Sequence, residues 1–239
     1  MTSACIVQAR MGSTRLPGKV MRRIGGDTVL AHVLRRCAAI PGIDHVVCAT
    51  VAGADGDPVA HEAERVGAVV FRGSESDVLA RYLGAARAVA AERILRATSD
   101  CPLIDPDICG KVLALCGPGK AEFASNNRPP SWPHGLDCEA FTRALLERTA
   151  EAARTDYERE HVSPWMTEAA EIRRADYTGP GGALLEHRWT LDYPEDLAFF
   201  EALFARLPAP PAIPGMGEVL DILAAEPWIS ALNAERRAA

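Results

Sequence analysis

Residues 8–19 read Gln-Ala-Arg-Met-Gly-Ser-Thr-Arg-Leu-Pro-Gly-Lys and gather three cations, Arg10, Arg15 and Lys19, around two glycines and two hydroxyls. Glycine lets a backbone approach a ligand closely, and successive exposed N–H groups form an anion-binding concavity. Arg and Lys add charge-assisted bonds to phosphate oxygens. The stretch follows an apolar run at 4–7, and a strand running into such a loop is how α/β proteins hold nucleotide phosphates. Gln8, Ala9, Arg10, Gly12, Ser13, Arg15 and Lys19 are therefore candidate nucleotide contacts, with Arg15 and Lys19 expected to be exposed. A solvated basic loop is the plain alternative, but such loops rarely combine Gly, Ser/Thr and three spaced cations. Val20 follows Lys19, so the segment is not a Walker motif, which requires Ser or Thr there.

Thr98-Ser99-Asp100-Cys101-Pro102-Leu103 is the second chemical segment. A carboxylate at a strand end facing a phosphate loop suits a divalent metal, because Mg²⁺ takes one or two carboxylates together with phosphate oxygens and water. Asp100 competes for that reading with a helix-capping role, which Asp105 fills better by position. A third segment, 188–197, runs Arg-Trp-Thr-Leu-Asp-Tyr-Pro-Glu-Asp-Leu. Asp192 there precedes a proline-started helix, so capping is again the alternative. In the segment 71–79, Asp77 reads as a helix cap. His187 and Arg188 are candidates to touch an anionic group. Asn126, His134, Asp137, Glu139, Arg159 and His161 are individually weak candidates for a second substrate. Imidazole titrates near neutrality, so His134 or His161 is a candidate general base, although a lone loop histidine is more often solvated.

The elements that must hold these groups alternate. Strand-like runs occupy 4–7, 45–50, 69–72 and 93–97. Helical patterns occupy 29–39, 59–66, 78–91 and 106–115. This rhythm implies a mostly parallel sheet covered on both faces, with function at the carboxyl ends of its strands. The first loop, Thr50, the Arg72-Gly73 turn and the Ser99-Asp100 turn all fall at such ends. Beyond residue 122 the pattern loosens. Residues 126–134 form an irregular loop, 136–141 a strand and 143–153 a helix, followed by a charged cluster at 158–166. A flexible break at 179–182 precedes a final strand at 188–191, a helix at 194–206, a proline linker at 208–214 and a last amphipathic helix ending near Leu232.

A chain of 239 residues with formal net charge −6 argues against nucleic-acid or anionic-membrane partners, which makes the basic loop a local site. No apolar run approaches the roughly 18–20 residues that span a bilayer, and no signal peptide opens the chain. Seven cysteines without a Cys-x-x-Cys pair suit a reducing cytoplasm. Cys5, Cys48 and Cys138 read as packing residues, and nothing near Cys101 points to a low-pKa nucleophile.

The 8–19 stretch resembles the signature of the cytidylyltransferases that make CMP-activated sugar acids, the CMP-Kdo and CMP-N-acetylneuraminate synthetases. It is closer still to relatives described as spore coat polysaccharide biosynthesis protein F. Gln8-Ala9-Arg10 stands where many sugar nucleotidyltransferases have Ala-Gly-Gly, which shifts the expected base toward cytosine. The 98–103 and 188–197 segments resemble the family's two metal-binding aspartate segments. The resemblance covers nearly the whole chain and implies a three-layer Rossmann-like nucleotidyltransferase fold. It implies one domain over 1–239, with an acceptor-binding and dimerisation arm at 126–178 and a homodimer. It further implies transfer of CMP from CTP to an acidic sugar or related anionic acceptor, for surface polysaccharide or glycoconjugate synthesis. Arg10, Lys19 and Asp100 would be catalytic, Asp100 and Asp192 would hold Mg²⁺, and Arg72 would lie near the base and ribose. Two other readings compete. A metal-dependent glycosyltransferase could use Asp105-Pro106-Asp107 as its metal motif, but would not need the cationic first loop. A catalytically silent nucleotide-binding protein would have no use for both candidate metal carboxylates.

Overall fold

The first strand, β1 (Ser3–Gln8), points Cys5 and Val7 to one side and Ala4 and Ile6 to the other, and all four are fully buried. A strand covered on both faces reads as a continuous apolar run, as 4–7 does. The computed structural model describes residues 1–237, and the chain continues from β1 through a loop into a short ribbon, β2 (Arg23–Ile24) and β3 (Asp27–Thr28). The ribbon was not legible in the sequence because two-residue strands carry no periodicity. Then follow α1 (Val29–Ala38), β4 (His45–Val51), α2 (Asp57–Arg65), β5 (Val69–Gly73), α3 (Val78–Ala88), β6 (Arg93–Thr98) and α4 (Pro106–Leu115). The second half adds β7 (Phe123–Ser125), β8 (Glu139–Thr142), α5 (Arg143–Ala152), α6 (Asp156–His161), α7 (Pro164–Glu168) and β9 (Arg174–Asp176). It ends with α8 (Pro194–Phe204), α9 (Met216–Ala225) and α10 (Pro227–Ala231).

Among the described residues the main sheet has seven strands in the order β5-β4-β1-β6-β8-β7-β9. The β5-β4-β1-β6 half is parallel, while β8 runs antiparallel to both β6 and β7. Buried residues of α1, α2 and α4 cover one face, and those of α3, α5 and α7 cover the other. The chain moves outward from β1 to β4 and β5, then returns across α3 to β6 on the far side of β1. That reversal makes the carboxyl end of β1 a topological switch point, where open α/β sheets form their ligand crevice. A third apolar cluster joins α8, α9 and α10 to Leu103, Trp132, Trp189 and Leu191.

Two expected elements differ. The strand expected at 188–191 is a single bridge between His134 and Arg188. Beyond it Trp189 and Leu191 turn into the third cluster, which fixes them by packing instead of by a ladder. The strand expected at 136–141 begins only at Glu139, because the Asn126 amide takes over the preceding backbone. Its Nδ2 donates to the Leu136 carbonyl at 2.8 Å and its Oδ1 accepts from Cys138 N–H at 2.9 Å. The charged stretch 158–166 divides into α6 and α7 at Val162, a buried residue with φ of 68°. Among the described residues no helix is long and apolar enough to cross a membrane.

Candidate active site

At the switch point lies a cavity of about 710 Å³. The loop after β1 forms one wall, and its conformation follows from its anchors. Ala9 N–H continues the ladder to Ala49 O at 3.1 Å, while Leu16 and Val20 bury their side chains. Gly18, at φ 65°, takes a left-handed turn that lets its N–H close the loop onto Met11 O. Gln8, Ala9, Arg10, Gly12, Ser13, Arg15 and Lys19 all line the cavity, joined by Ser99 and Asp100 from the end of β6 and by Asp192.

Three segments that are remote in sequence meet through one ammonium. Lys19 Nζ lies 2.6 Å from Asp100 Oδ2 and 2.9 Å from Asp192 Oδ1. Arg15 Nη2 contacts the same Asp192 oxygen at 2.7 Å, and Arg188 Nη2 contacts the other at 3.2 Å. Burial pulls the Lys19 pKa down, but its bonds to Asp100 and Asp192 outweigh that and hold it above the ordinary lysine value. Burial likewise pushes Asp192 up, and Lys19 and Arg15 overcome it to keep the carboxylate below its usual range. With its side chain 14% exposed, Lys19 is not the exposed residue expected from the sequence, because the two carboxylates draw it inward.

Neither aspartate serves as a helix cap. Asp105 caps α4, accepting from Asp107 and Ile108 N–H, and also accepts from Met216 N–H. Its oxygens are therefore committed to backbone, and neither it nor Asp107 lines the cavity. At the start of α8 the capping carboxylate is Asp196, which accepts from the N–H groups of Asp192 and Tyr193. Asp196 is fully buried and takes a two-point ion pair from buried Arg188 at 2.9 and 3.1 Å. Arg188 thus positions Asp192 from behind and is not presented to the cavity.

The remaining candidates scatter. Thr50 is fully buried, Gly73 packs against Arg81, and Arg72 is tied to Asp57 at 2.7 Å and to Gly53 O, so none of the three lines the cavity. Asn126 is a backbone brace. Glu139 is buried against Arg96 and Ser163. Arg159 pairs with Asp77, which caps α3 as expected. His161 packs against Tyr157 with the rings tilted by 46°, and His134 is exposed beside half-buried Asp137. Burial raises the Asp137 pKa despite the hydrogen bond from Gly135 N–H. The Cys101 thiol is pushed well up by burial, which keeps it protonated and inert.

The sequence reading missed Glu75, Val78, Arg81 and Glu160, all of which line the cavity. Arg10 lies 3.8 Å from both Glu75 and Glu160 at the rim. Arg81 donates through Nη1 to the Ser74 carbonyl, while its Nε and Gln8 Oε1 are buried without partners among the described residues. The available signal was an arginine next to Tyr82 on the buried stripe of α3, where a cation is out of place.

With that geometry in view, the comparisons with known proteins agree among themselves. A family model described as Cytidylyltransferase matches residues 4–191. Spore coat polysaccharide biosynthesis protein SpsF of Bacillus subtilis is 30% identical, covering 84% of this chain and 85% of its own. A cytidylyltransferase structure from Leptospira borgpetersenii superposes with TM-score 0.90 at 32% identity, covering 96% of this chain and 97% of the other. The structure of CMP:2-keto-3-deoxy-manno-octonic acid synthetase complexed with CTP shares the fold, with TM-score 0.66 and 19% identity over 86% of this chain and 99% of that one.

Proposed function

Because the chain belongs to the cytidylyltransferase family and is a nucleotidyltransferase, we propose that it transfers CMP from CTP to an acidic sugar or related anionic acceptor. Pyrophosphate would be released, and the product would serve surface polysaccharide or glycoconjugate synthesis. One observation carries the reading. The cationic loop and the Asp100–Asp192 pair meet in one cavity at the switch point, with Lys19 between the carboxylates.

In this reading Arg10, Arg15 and Lys19 bind the β and γ phosphates and neutralise the charge that grows on departing pyrophosphate. Gln8, Ala9, Gly12, Ser13 and Ser99 shape the nucleotide's bed, and the acceptor oxygen attacks the α-phosphate from the Asp100–Asp192 side. Catalysis is then positioning and charge compensation. The two carboxylates fit Mg²⁺, since they converge on a point that already accommodates a positive charge. Among the described residues no cluster of three or more His, Cys, Asp or Glu could complete a metal shell. Phosphate oxygens and water would fill it, as Mg²⁺ prefers. The metal would polarise the reacting phosphate and lower the acceptor hydroxyl's pKa. Residues 126–178 are proposed as the acceptor and dimerisation arm, with His134, Asp137 and His161 toward the acceptor. Seven free, buried cysteines support a cytoplasmic location.

Pyrophosphate release should be measured with each of the four NTPs, Mg²⁺ and a panel of acidic sugars. CTP-dependent release with one acceptor is expected. Equal turnover with GTP or UTP would remove the cytidylyl assignment.

A further inference from the structure

We propose that Lys19 is an exchangeable internal cation, holding the Asp100–Asp192 pair until a nucleoside triphosphate draws it away, so that metal binding is conditional on nucleotide. The inference rests on the reading above that these two carboxylates hold the metal.

The ammonium lies 2.6 and 2.9 Å from one oxygen of each carboxylate. A Mg²⁺ or Mn²⁺ ion held by both carboxylates would need metal–oxygen distances of about 2.1 Å and therefore the space between them that the ammonium fills. Nitrogen and metal exclude each other there by contact as well as by charge. One of the two must leave.

Among the described residues three cations touch the pair, and of these Lys19 alone bonds both carboxylates. Arg188 is locked by its two-point contact with buried Asp196. Arg15 touches only Asp192, and its side chain is 53% exposed. Lysine carries a compact charge on a flexible stem, and Lys19 faces the cavity together with Arg10 and Arg15. A triphosphate bound there supplies several anionic oxygens within the reach of that stem. The ammonium then exchanges two carboxylate partners for phosphate, and the space between the carboxylates, with Asp192 still flanked by Arg15 and Arg188, opens next to those phosphates.

Two consequences follow. Without nucleotide the carboxylates are never left facing each other uncompensated, so the fold does not bear their repulsion. Metal and nucleotide also become reciprocally coupled, each favouring the other through the position of one side chain. The coupling predicts an inversion: deleting a cation should tighten cation binding.

The experiment uses the full chain and Mn²⁺ alone, with free Mn²⁺ read by electron paramagnetic resonance. In the absence of nucleotide, Lys19→Met and Lys19→Gln should bind Mn²⁺ at least tenfold more tightly than wild type. Lys19→Arg, which keeps a cation in place, should stay at least as weak as wild type. The gain should vanish in Lys19→Met/Asp192→Asn, which ties it to this pair. If Lys19→Met and Lys19→Gln, shown to be folded by thermal melts, bind Mn²⁺ no better than wild type, the exchange idea is overturned. A parallel arm tests the premise separately. Water-proton relaxation with saturating CTP distinguishes protein-held from nucleotide-held Mn²⁺. Identical enhancement in wild type and Asp192→Asn would instead remove the metal assignment of the carboxylates.

Discussion

The backbone N–H of Leu191 donates to the carbonyl of Asp100 at 2.8 Å. This one bond joins the end of the β6 turn to the entrance of α8 and so brings together two aspartates that are far apart in sequence. Arg188 and Asp196 hold the α8 side from beneath, while the end of β6 holds the other. The carboxylates are thus placed by the protein's own scaffold, the preorganisation that electrostatic catalysis requires.

Asp196 should therefore matter to stability well beyond its own helix. Asp196→Ala leaves Arg188 as a buried, half-compensated cation, strands the N–H groups of Asp192 and Tyr193, and removes one of the two acceptors of the Asn233 amide. Removing one partner of a buried ion pair typically costs about 3–5 kcal/mol. Urea unfolding should register a loss of that order. A loss under about 1 kcal/mol would mean that the pair does not hold Asp192.

Arg15 and Lys19 should separate in a mutational test. Arg15 is largely exposed, so Arg15→Ala should leave the folding free energy within about 0.5 kcal/mol. It should still cut kcat/KM by roughly ten- to a hundredfold, the loss of about 1.5–3 kcal/mol of charge-assisted bonding to phosphate. Lys19→Ala should lose activity and also stability, because Asp100 and Asp192 then face each other without the ammonium. Equal melting temperatures for the two variants would contradict this division.

Asp137 offers a pH signature. Burial raises its folded pKa above the unfolded value of about 3.9, so the folded protein binds the proton more tightly than the unfolded chain. Stability is then lost as pH rises from about 3.9 through the higher folded value, and is recovered in acid. Asp137→Asn can still accept from Gly135 N–H but carries no charge. Its melting temperature should exceed wild type at pH 7 and match it near pH 3. A variant less stable than wild type at pH 7 would show that the ionised carboxylate is needed by the fold. Should turnover fall while stability rises, Asp137 belongs to the acceptor side, where function commonly retains such strain.

The parallel half of the sheet was legible because its strands are continuous apolar runs separated by amphipathic helices, and the loop's place at the cavity because glycines, hydroxyls and cations follow directly on the first strand. What stayed hidden depends on side chains replacing backbone pairing. Asn126 displaces the start of β8, and packing around Trp189 dissolves the expected last strand. Neither event leaves a periodic trace. The family resemblance implied Arg72 near the base and ribose; in the structure its guanidinium pairs with Asp57 and Gly53 O. Arg81 escaped because residues inside a regular helix are read as packing.

Arg81 supports a last prediction, about the base. Its side chain is 2% exposed, its Nη1 holds the Ser74 carbonyl, and its Nε has no partner. Gln8 Oε1 is likewise buried and unpaired among the described residues, and Gln8 and the apolar Val78 line the same cavity. Each unsatisfied buried group costs about 1–3 kcal/mol, so a ligand edge that pairs with both gains that back on binding. A pyrimidine offers an acceptor next to a donor, and cytosine's amino group matches Gln8 Oε1. Arg81→Lys keeps the charge but loses the Nε donor, and Gln8→Ala loses the acceptor. Both should weaken CTP binding about tenfold in calorimetric titration while leaving inorganic tripolyphosphate binding unchanged. If tripolyphosphate weakens in step with CTP, Arg81 is acting on phosphate, and the base must be read elsewhere in the cavity.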